Sequence, residues 1–515
     1  NLASCRNLNI STDSADDPEW QLIRDQLVLL PEALHRGYLM NDILRNTNDI
    51  GVVNLSVHKV VRFFTVLLPT LSYIFYQLPE FSTVSFTFML LLVQSVVFLC
   101  FAGGRHLTLL NIYFIFSLIF FTVAPWVQYF NKIQMWDAVG FSDLDYIITN
   151  IIIFMSNIFV FLSYFFVFRR RTIGVYLKKF SKKFGASDKQ SFLLPLLLIT
   201  LSVVSLYCLL YVNHFSVTRL FLKGFSADGL GPVIEESSFS MIVGKLVRLI
   251  PFFSFLYSYT HPKPRPVTNT VLFTLLLLCV FPTSVSRYMV AFVYIPIILL
   301  FFPRLFRGFA FPYLLIGSII FIFPFLNQFR DASKLGKISF LPSSDMFLYG
   351  HFDAYQNLMQ VIQLDLVTYG NQLLGAVLSF VPRAVWHDKP VGSGHFLSEV
   401  ADLSFSNISM PLLGEGYINF GVLGIVIVSI VVGVLMGLLD KLFDDVSFKS
   451  NFRYLYSVYL YICGSLIFVL RGDLMSSFAY VMSGIFSALL VVFFARMSKV
   501  LFPYSRIRKL TPTCK

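Results

Sequence analysis

The segment from Tyr417 to Leu439, YINFGVLGIVIVSIVVGVLMGLL, contains no charged side chain. A helix of about 20 apolar residues is long enough to cross the hydrocarbon core of a bilayer. Runs of the same kind recur on both sides of this segment, separated by short polar breaks. The chain is 56% hydrophobic and 13% charged, whereas an average soluble domain is about 25% charged. This composition excludes a soluble enzyme and predicts a chain that is solvated largely by lipid.

Apolar runs of this length predict about 12 transmembrane helices in the chain. The predicted spans are 60–78, 81–101, 107–129, 146–168, 192–213, 241–259, 268–285, 288–303, 310–328, 417–439, 454–470 and 474–495. The runs are apolar on every side, whereas the strands of a membrane β-barrel alternate lipid-facing and lumen-facing residues. The predicted fold class is therefore all-α, a polytopic integral membrane protein.

These spans divide the chain into five predicted regions. They are a cytoplasmic N-terminal segment (1–58), transmembrane helices 1–9 (59–328), a long external loop or lid with short helices (329–416), transmembrane helices 10–12 (417–497) and a basic cytoplasmic tail (498–515). Within the first region, residues 19–44 have the spacing of an amphipathic helix. No cleaved secretory signal is expected, because the first residues lack a charged region followed by a short apolar core.

The charge distribution predicts the orientation of the chain. It has 40 Lys and Arg against 28 Asp and Glu, a net charge of +12. With the N-terminus inside, the inner loops and the tail hold about twice as many Lys and Arg as the external loops, as the positive-inside rule requires. Both termini are therefore predicted to be cytoplasmic. The basic cluster at 169–189 is interpreted as a topology signal rather than a nucleic-acid site.

The external loop at 329–416 is far longer than any other predicted loop. Long ordered loops are usually functional. Inside it, the apolar run 371–381 is too short to span a bilayer and ends at Pro382, which indicates a re-entrant or interfacial helix. We expect this loop to form a lid over a cavity embedded in the membrane.

Five arginines are predicted at the external ends of spans or in the long loop. They are Arg219, Arg287, Arg330, Arg383 and Arg471. The planar guanidinium fork suits phosphate oxygens and stays charged when partly dehydrated. Each Arg could instead extend to lipid headgroups or pair with a nearby acid, but for the set we favour phosphate binding. Arg287 and Arg471 stand out because each interrupts two apolar runs at a tight turn.

Several other polar residues are candidates for chemistry. His351, Asp353 and Glu415 are candidate general bases, and Tyr355 lies among the polar groups of the long loop. Asp143-Leu-Asp145 has the form of the metal-binding Asp-x-Asp motif of many glycosyl transferases. It lies at the start of a predicted helix, where acids complement the helix dipole, so we interpret it as structural. No metal site is predicted, since no three ligands converge in the sequence.

Two segments combine turn-forming residues with polar side chains. FVPRAVWHDKPVGSG (380–394) is rich in Pro and Gly, and in it Trp386 could stack on a sugar while Arg383 and Lys389 neutralise phosphate. SMPLLGEGYINFGVLG (409–424) places Glu415 and Tyr417 at the membrane edge. Its small residues would also let two helices approach closely, which is a purely structural interpretation.

Three motifs resemble those of Wzy-type oligosaccharide repeat-unit polymerases. They are Pro-Arg-x-x-Trp-x-x-Lys-Pro (382–390), Gly-Glu-x-Tyr-x-Asn-Phe-Gly (414–421) and Ser-Arg-Tyr (286–288). The resemblance implies a glycosyltransferase at the periplasmic face of a bacterial inner membrane that needs no cofactor, metal or nucleotide sugar. The donor would be a glycan on undecaprenyl pyrophosphate, and a hydroxyl of a second lipid-linked repeat unit would displace the lipid pyrophosphate.

The resemblance also assigns expected roles to the candidate residues. The expected catalytic residues are Arg383, Arg287, Arg330, His351, Asp353 and Glu415, and the expected substrate-binding residues are Arg219, Arg471, Trp386, Lys389, Tyr355 and Tyr417. The implied partners are undecaprenyl-pyrophosphate-linked glycans, membrane lipids, a chain-length regulator and a flippase, with no nucleic acid.

Two alternative functions stay open at this point. An O-antigen ligase-like enzyme would use the same donor and a similar set of arginines. A lipid-linked oligosaccharide flippase or transporter would place charges near the bilayer midplane and show two similar halves. Lys245 and Arg248 are the main charges inside predicted spans, and we find no internal repeat. The sequence therefore favours an enzyme over a transporter.

Overall fold

The computed structural model of the chain describes residues 61–74, 82–102, 107–138, 140–170, 193–222, 243–261, 265–306, 309–328, 345–444 and 453–501. The chain forms two compact units, Asn1–Thr65 and Val66–Lys515. Of the first unit only residues 61–65 are described, and they are helical. The amphipathic segment predicted at 19–44 and the basic tail lie outside the described residues. All contacts below lie within the second unit.

The regular structure of the described residues is helical, as predicted. In the amino-terminal half the helices are α1 (Val61–Ile74), α2 (Thr83–Ala102), α3 (Leu109–Leu118), α4 (Ala124–Phe130), α5 (Asp143–Phe168), α6 (Leu194–Val212) and α7 (Val217–Phe221). They are followed by α8 (Ile250–Tyr259), α9 (Pro266–Cys279), α10 (Arg287–Phe301), α11 (Ala310–Gly317) and α12 (Phe323–Asn327). The carboxyl-terminal half contains α13 (Ala354–Gln363), α14 (Asn371–Val377), α15 (Ser393–Val400), α16 (Leu412–Asp444), α17 (Arg453–Arg471) and α18 (Leu474–Leu501).

Seven helical stretches in the described residues are long and apolar enough to cross a membrane. They are α2, the stretch Leu109–Phe130, α5, α6, α16, α17 and α18. The apolar helices α1, α9 and α10 and the stretch Ala310–Leu326 are shorter. The chain is therefore a multi-pass membrane protein. Twelve spans remain a prediction.

Two groups of helices form the packed interior. In one, α16 lies along α5, and α2 packs on α3 and α5. In the other, α6, α8 and α9 pack together, α10 lies along α17, and α18 contacts α6 and α8. Apolar side chains from α6, α8, α9, α10, α17 and α18 share one hydrophobic cluster.

Buried amide and hydroxyl groups join α2, α3 and α5. The Asn157 side chain donates from Nδ2 to Gln94 Oε1 and to Ser117 Oγ, each at 3.0 Å. The Tyr113 hydroxyl donates to Asn157 Oδ1, also at 3.0 Å. Hydrogen bonds between helices in lipid contribute about 0.6 to 2 kcal/mol each. These side chains therefore fix the relative position of three helices whose surfaces are otherwise apolar.

A single buried carboxylate joins four helices. Asp440 of α16 is 4% exposed, and both of its oxygens accept from the Leu109 N–H at 3.0 and 3.1 Å. It also accepts from the hydroxyls of Tyr164 at 2.8 Å and Tyr459 at 2.7 Å. Leu109 is the first residue of α3, so the carboxylate satisfies an otherwise orphaned donor at the positive end of that helix.

The helix α16 is bent near its start, at the end of the Gly-Glu-x-Tyr-x-Asn-Phe-Gly motif. Phe420 leaves helical geometry, and Gly421 adopts φ 60° and ψ −147°, a combination that essentially only glycine reaches. Before the bend, Asn419 donates from Nδ2 to the Glu415 carbonyl and accepts from the Leu373 N–H, both at 2.8 Å. The motif therefore shapes the entry to the membrane-spanning part of α16 and fastens it to α14.

The long segment after α12 is a folded part of the protein where it is described. Its helix α13 packs against α5 and α16, and Tyr355 and Asn357 are buried. The Asn357 side chain donates to the Ser409 carbonyl at 2.6 Å. Short helices occur in 345–411, and helix α13 lies in the packed core. The predicted helix at 371–381 is shorter, ending at Val377 and packing on α16 and α18.

The structural interpretation of Asp143-Leu-Asp145 is confirmed. Ser142 caps α5, and its Oγ accepts from the Asp145 N–H at 3.3 Å. The Asp145 carboxylate in turn accepts from the Ser142 N–H at 2.8 Å. This reciprocal capping box engages the acid at the start of the helix.

Replacing Asp440 by Ala is expected to lower the melting temperature of the purified protein in detergent. The change leaves the Leu109 N–H and two tyrosine hydroxyls buried without their acceptor, and each unsatisfied group costs about 1 to 3 kcal/mol. Asp440→Asn keeps one oxygen and should cost less. The exposed Asp388 gives the control Asp388→Ala, which should melt like the wild type. An Asp440→Ala protein with unchanged melting would contradict the role of this carboxylate.

Candidate functional site

A cavity of about 500 Å³ lies where the starts of α10 and α18 meet the long segment. Its walls come from residues within 282–288, 349–353, 405–409 and 468–476, together with Trp136, Phe292, Leu326 and Tyr480. Four of the predicted site residues line it: Arg287, His351, Asp353 and Arg471. These residues belong to three separate stretches of the sequence, and the fold brings them together.

Arg471 is held by the walls of the cavity. Its Nη2 donates to Asp353 Oδ1 at 2.8 Å and to the Gly350 carbonyl at 3.2 Å. Its Nε donates to the His351 carbonyl at 2.9 Å, and its Nη1 donates to the Tyr288 hydroxyl. Four of the five guanidinium N–H groups are thus directed at protein acceptors. Arg471 therefore organises the cavity wall as one half of an ion pair.

Asp353 is the buried partner of Arg471. Its side chain is 1% exposed, and the carboxylate also accepts from Ser409 Oγ at 2.6 Å and Ser409 N at 3.2 Å. The indole Nε1 of Trp136 donates to its Oδ2 at 3.3 Å. Because donors surround both oxygens, this carboxylate serves to hold Arg471, Ser409 and Trp136 in place.

Arg287 reaches the cavity from the first turn of α10. Ser286 precedes it as the helix cap, with its Oγ accepting from the Met289 N–H at 3.4 Å. The Nη2 of Arg287 lies 3.2 Å from His351 Nδ1. A guanidinium has no acceptor, so Nδ1 must accept, and a neutral His351 carries its proton on Nε2. Arg287 thus adds its charge at the positive end of a fifteen-residue helix.

Trp136 is a cavity residue that the sequence analysis missed. It adopts φ 61°, an unusual backbone conformation for a bulky residue. Its ring stacks on Phe405 with the centroids 4.8 Å apart, and it lies directly against Gly350, where a Cβ would overlap the ring. No spacing or motif surrounds Trp136 in the sequence, so no local pattern indicated its position.

Asp473 and Tyr288 are further wall residues outside the predicted set. Tyr288 belongs to the Ser-Arg-Tyr motif, and Asp473 follows Arg471 by two residues. The Asp473 carboxylate caps α18 by accepting from the Ser476 N–H at 3.0 Å, and it also accepts from the Gly394 N–H at 3.3 Å. Their proximity to Arg287 and Arg471 in the chain was the available signal.

The cations of the Pro-Arg-x-x-Trp-x-x-Lys-Pro segment hold its own backbone. Arg383 Nη1 donates to the Lys389 carbonyl at 2.8 Å. Lys389 Nζ donates to the carbonyls of Ser379 at 2.7 Å and Val381 at 3.0 Å. Partial burial and the nearby Arg383 lower the pKa of Lys389. Arg383, Lys389 and Trp386 are not among the residues that line the cavity.

Glu415 lies one layer behind the cavity wall. It is 2% exposed and accepts from Ser393 Oγ at 2.7 Å and from the Leu474 N–H at 2.8 Å. Leu474 follows Asp473, the wall residue that caps α18. Glu415 thereby connects α15, α16 and the start of α18, next to the cavity wall.

Three further predicted site residues, Tyr355, Tyr417 and Arg219, are not among the residues that line the cavity. Tyr355 is fully buried, with its hydroxyl 2.9 Å from Asn150 Oδ1, and burial raises its pKa well above the usual value. The Tyr417 hydroxyl donates to Asp365 Oδ1 at 2.8 Å. Arg219 is a buried residue of α7. Arg330 lies outside the described residues.

The sequence of the carboxyl-terminal helices matches a known family. Residues 408–500 match the family model described as O-antigen polysaccharide polymerase Wzy. The match covers less than a fifth of the chain and includes the Gly-Glu-x-Tyr motif together with Arg471 and Asp473. The resemblance to Wzy-type polymerases is thus confirmed in this segment. No curated protein and no solved structure matches the chain.

Replacing Gly350 by Ala is expected to lower the melting temperature and displace Trp136. The added Cβ would overlap the indole, and overpacking of this kind costs about 1 to 3 kcal/mol. A methyl group added at Gly317 of α11 would meet no neighbouring group within 4 Å. Gly317→Ala is therefore the matched control and should be neutral or stabilising. Equal melting temperatures for the two variants would show that Trp136 is not packed as described.

Proposed function

We propose that this protein polymerises oligosaccharide repeat units carried on undecaprenyl pyrophosphate. The observation that carries the proposal is the cavity that brings Arg287 and Arg471 together beside the segment matching the Wzy family. The family match supports a bacterial inner-membrane location, and the distribution of Lys and Arg supports cytoplasmic termini with the cavity at the periplasmic face. A chain-length regulator and a flippase are the protein partners that belong to this proposal.

The proposed reaction is a displacement at the anomeric carbon of the donor glycan. A hydroxyl oxygen of the lipid-linked acceptor bonds to this carbon while the bond to the pyrophosphate oxygen breaks. The electron pair leaves with the pyrophosphate, and the hydroxyl proton passes to a base or to water. Negative charge develops on the leaving pyrophosphate, and fixed donors aimed at such charge stabilise the transition state.

Arg287 is the residue proposed to stabilise the leaving pyrophosphate. It lies on the cavity wall at the positive end of α10, and His351 Nδ1 orients it. Arg471 holds the wall beside it through Asp353 and two carbonyls. Removal of one preorganised donor typically lowers the rate by about 10² to 10³. Trp136 provides an aromatic wall for a sugar ring, the role that the sequence analysis gave to Trp386.

His351 is proposed to position Arg287 rather than to take the acceptor proton. Its Nδ1 accepts from Arg287, so a neutral ring presents an N–H at Nε2. Asp353 is similarly engaged by several donors. The third candidate base, Glu415, lies behind the cavity wall and is not among the residues that line it. The mechanism therefore depends mainly on stabilising the leaving group.

An O-antigen ligase-like reaction is the nearest alternative, because it would use the same donor and leaving group. The family match favours polymerisation. In a deletion strain, a ligase would leave full-length glycan on undecaprenyl pyrophosphate, whereas a polymerase would leave a single repeat unit on the surface lipid. Loss of all surface sugar would indicate a flippase.

Arg287→Ala is expected to abolish the long-chain ladder when it replaces the wild type in the deletion strain. The in vitro rate should fall by about 10² to 10³ because the leaving pyrophosphate loses a fixed donor. Arg287→Lys should recover part of the activity, since it keeps the charge but not the planar fork. Arg304 is an exposed residue of Pro303–Phe306, so Arg304→Ala serves as the control. A normal ladder from Arg287→Ala at equal expression would refute the assigned role.

His351→Asn is expected to keep most activity, whereas His351→Ala should lose it. An Asn side chain can place an amide oxygen near the position of Nδ1 and accept from Arg287, but it cannot act as a base at neutral pH. The measurement is the polymerisation rate over a range of pH. Loss of activity in both variants, together with loss of one ionisation from the wild-type pH profile, would make His351 the base.

A further inference from the structure

A second pair of cations, Lys245 and Arg248, lies behind one wall of the cavity. Lys245 Nζ is 4.9 Å from the centroid of the Tyr480 ring, and Arg248 acts electrostatically on the same tyrosine. Tyr480 lines the cavity. The Tyr480 ring is thus a neighbour both of these cations and of the space beside Arg287 and Arg471.

One edge of the Arg248 guanidinium is buried without a hydrogen-bond partner among the described residues. Its Nε is inaccessible and has no hydrogen-bond partner there. The groups that act on it electrostatically, Cys279 and Tyr480, are neutral when protonated. A cation in a membrane bundle is expensive unless an anion or a set of carbonyls accompanies it. Arg248 therefore has the surroundings of a residue whose partner is a ligand.

Lys245 has only partial compensation. The Asp473 carboxylate and the Lys389 ammonium both act on it electrostatically, with opposite signs. In the described part of the chain, no carboxylate lies within the 4 Å of an ion pair with either Lys245 or Arg248. Asp473 is itself engaged by the N–H groups of Gly394 and Ser476, so neither cation has a carboxylate of its own among the described residues.

The backbone that carries the two cations is firmly held. Arg248 lies in a 3-10 turn, Val247–Leu249, ahead of α8, and Lys245 precedes this turn by two residues. Ser487 Oγ donates to the Leu246 carbonyl at 2.8 Å, and Ser205 Oγ donates to the Val247 carbonyl at 2.6 Å. Anchors from α6 and α18 therefore fix the backbone between Lys245 and Arg248.

We propose that Lys245 and Arg248 form a second anion subsite, which takes the phosphate group of a lipid headgroup. The inference rests on the proposed function in one respect: a polymerase holds two lipid-linked substrates, and only one pyrophosphate departs. The cavity at Arg287 takes the leaving pyrophosphate of the donor. The subsite holds the pyrophosphate of the acceptor, which stays attached to its glycan. The same chemistry would also recognise the phosphate of an anionic phospholipid.

The test counts ligands bound to the full chain, purified in neutral detergent, by native mass spectrometry with farnesyl pyrophosphate as the probe. The wild type and the control Arg304→Met are expected to bind two molecules. In Arg248→Met, the doubly occupied fraction should fall at least tenfold. Its melting temperature without ligand should not fall, because the change removes an uncompensated buried charge. Lys245→Gln provides a second variant with the same expected loss.

Added phosphatidylglycerol distinguishes the two sources of phosphate. If it displaces the second farnesyl pyrophosphate from the wild type, the subsite accepts phospholipid headgroups in general. If it does not, the subsite is selective for the pyrophosphate. Double occupancy by Arg248→Met at the wild-type level, or single occupancy of the wild type, would overturn the proposal.

Failure of the subsite and failure of the proposed function give different results. Binding is measured without any glycan, so it does not depend on polymerisation. A wild type that forms polymer, with an Arg248→Met variant that binds two probes, refutes only the subsite. A wild type that binds two probes through Arg248 but forms no polymer refutes only the proposed function.

Discussion

The buried pair between Arg471 and Asp353 is the interaction on which the site depends. The two side chains are 13% and 1% exposed and meet at 2.8 Å. An ion pair so far from water is stable only if further hydrogen bonds satisfy the remaining donors and acceptors. Tyr288, Ser409, Trp136 and two carbonyls of the long segment supply them. The end of α17, the start of α10 and the long segment are thereby joined around the cavity.

The helical class could be predicted from the sequence because lipid leaves the backbone few alternatives. Arg287 and Arg471 could also be identified, since a charge between two apolar runs needs a partner. The sequence could not distinguish a ligand from a backbone carbonyl as that partner. Lys389 binds carbonyls only eight and ten residues away in the chain. Arg471 pairs with Asp353, which is 118 residues away. The composition of the motifs does not reveal this difference.

The long segment shows why polarity alone misleads in a membrane protein. Its Tyr, Gln and Asn residues resemble those of an exposed loop, yet α13 lies in the packed interior. Gln356 Nε2 donates to Gln128 Oε1 at 3.0 Å and to the Ile133 carbonyl at 2.9 Å. Polar side chains there satisfy irregular backbone that lipid could not solvate. The composition of the segment therefore does not reveal how deeply α13 is buried.

The carboxylate of Asp440 also constrains the order in which the protein can be completed. Its acceptor oxygens serve an amide 331 positions earlier in the chain, and at about 5 to 20 residues per second that distance takes on the order of tens of seconds to translate. During that interval the start of α3 lacks its eventual acceptor. The first helices thus enter the bilayer as an unfinished assembly, and arrival of the carboxyl-terminal helices closes it.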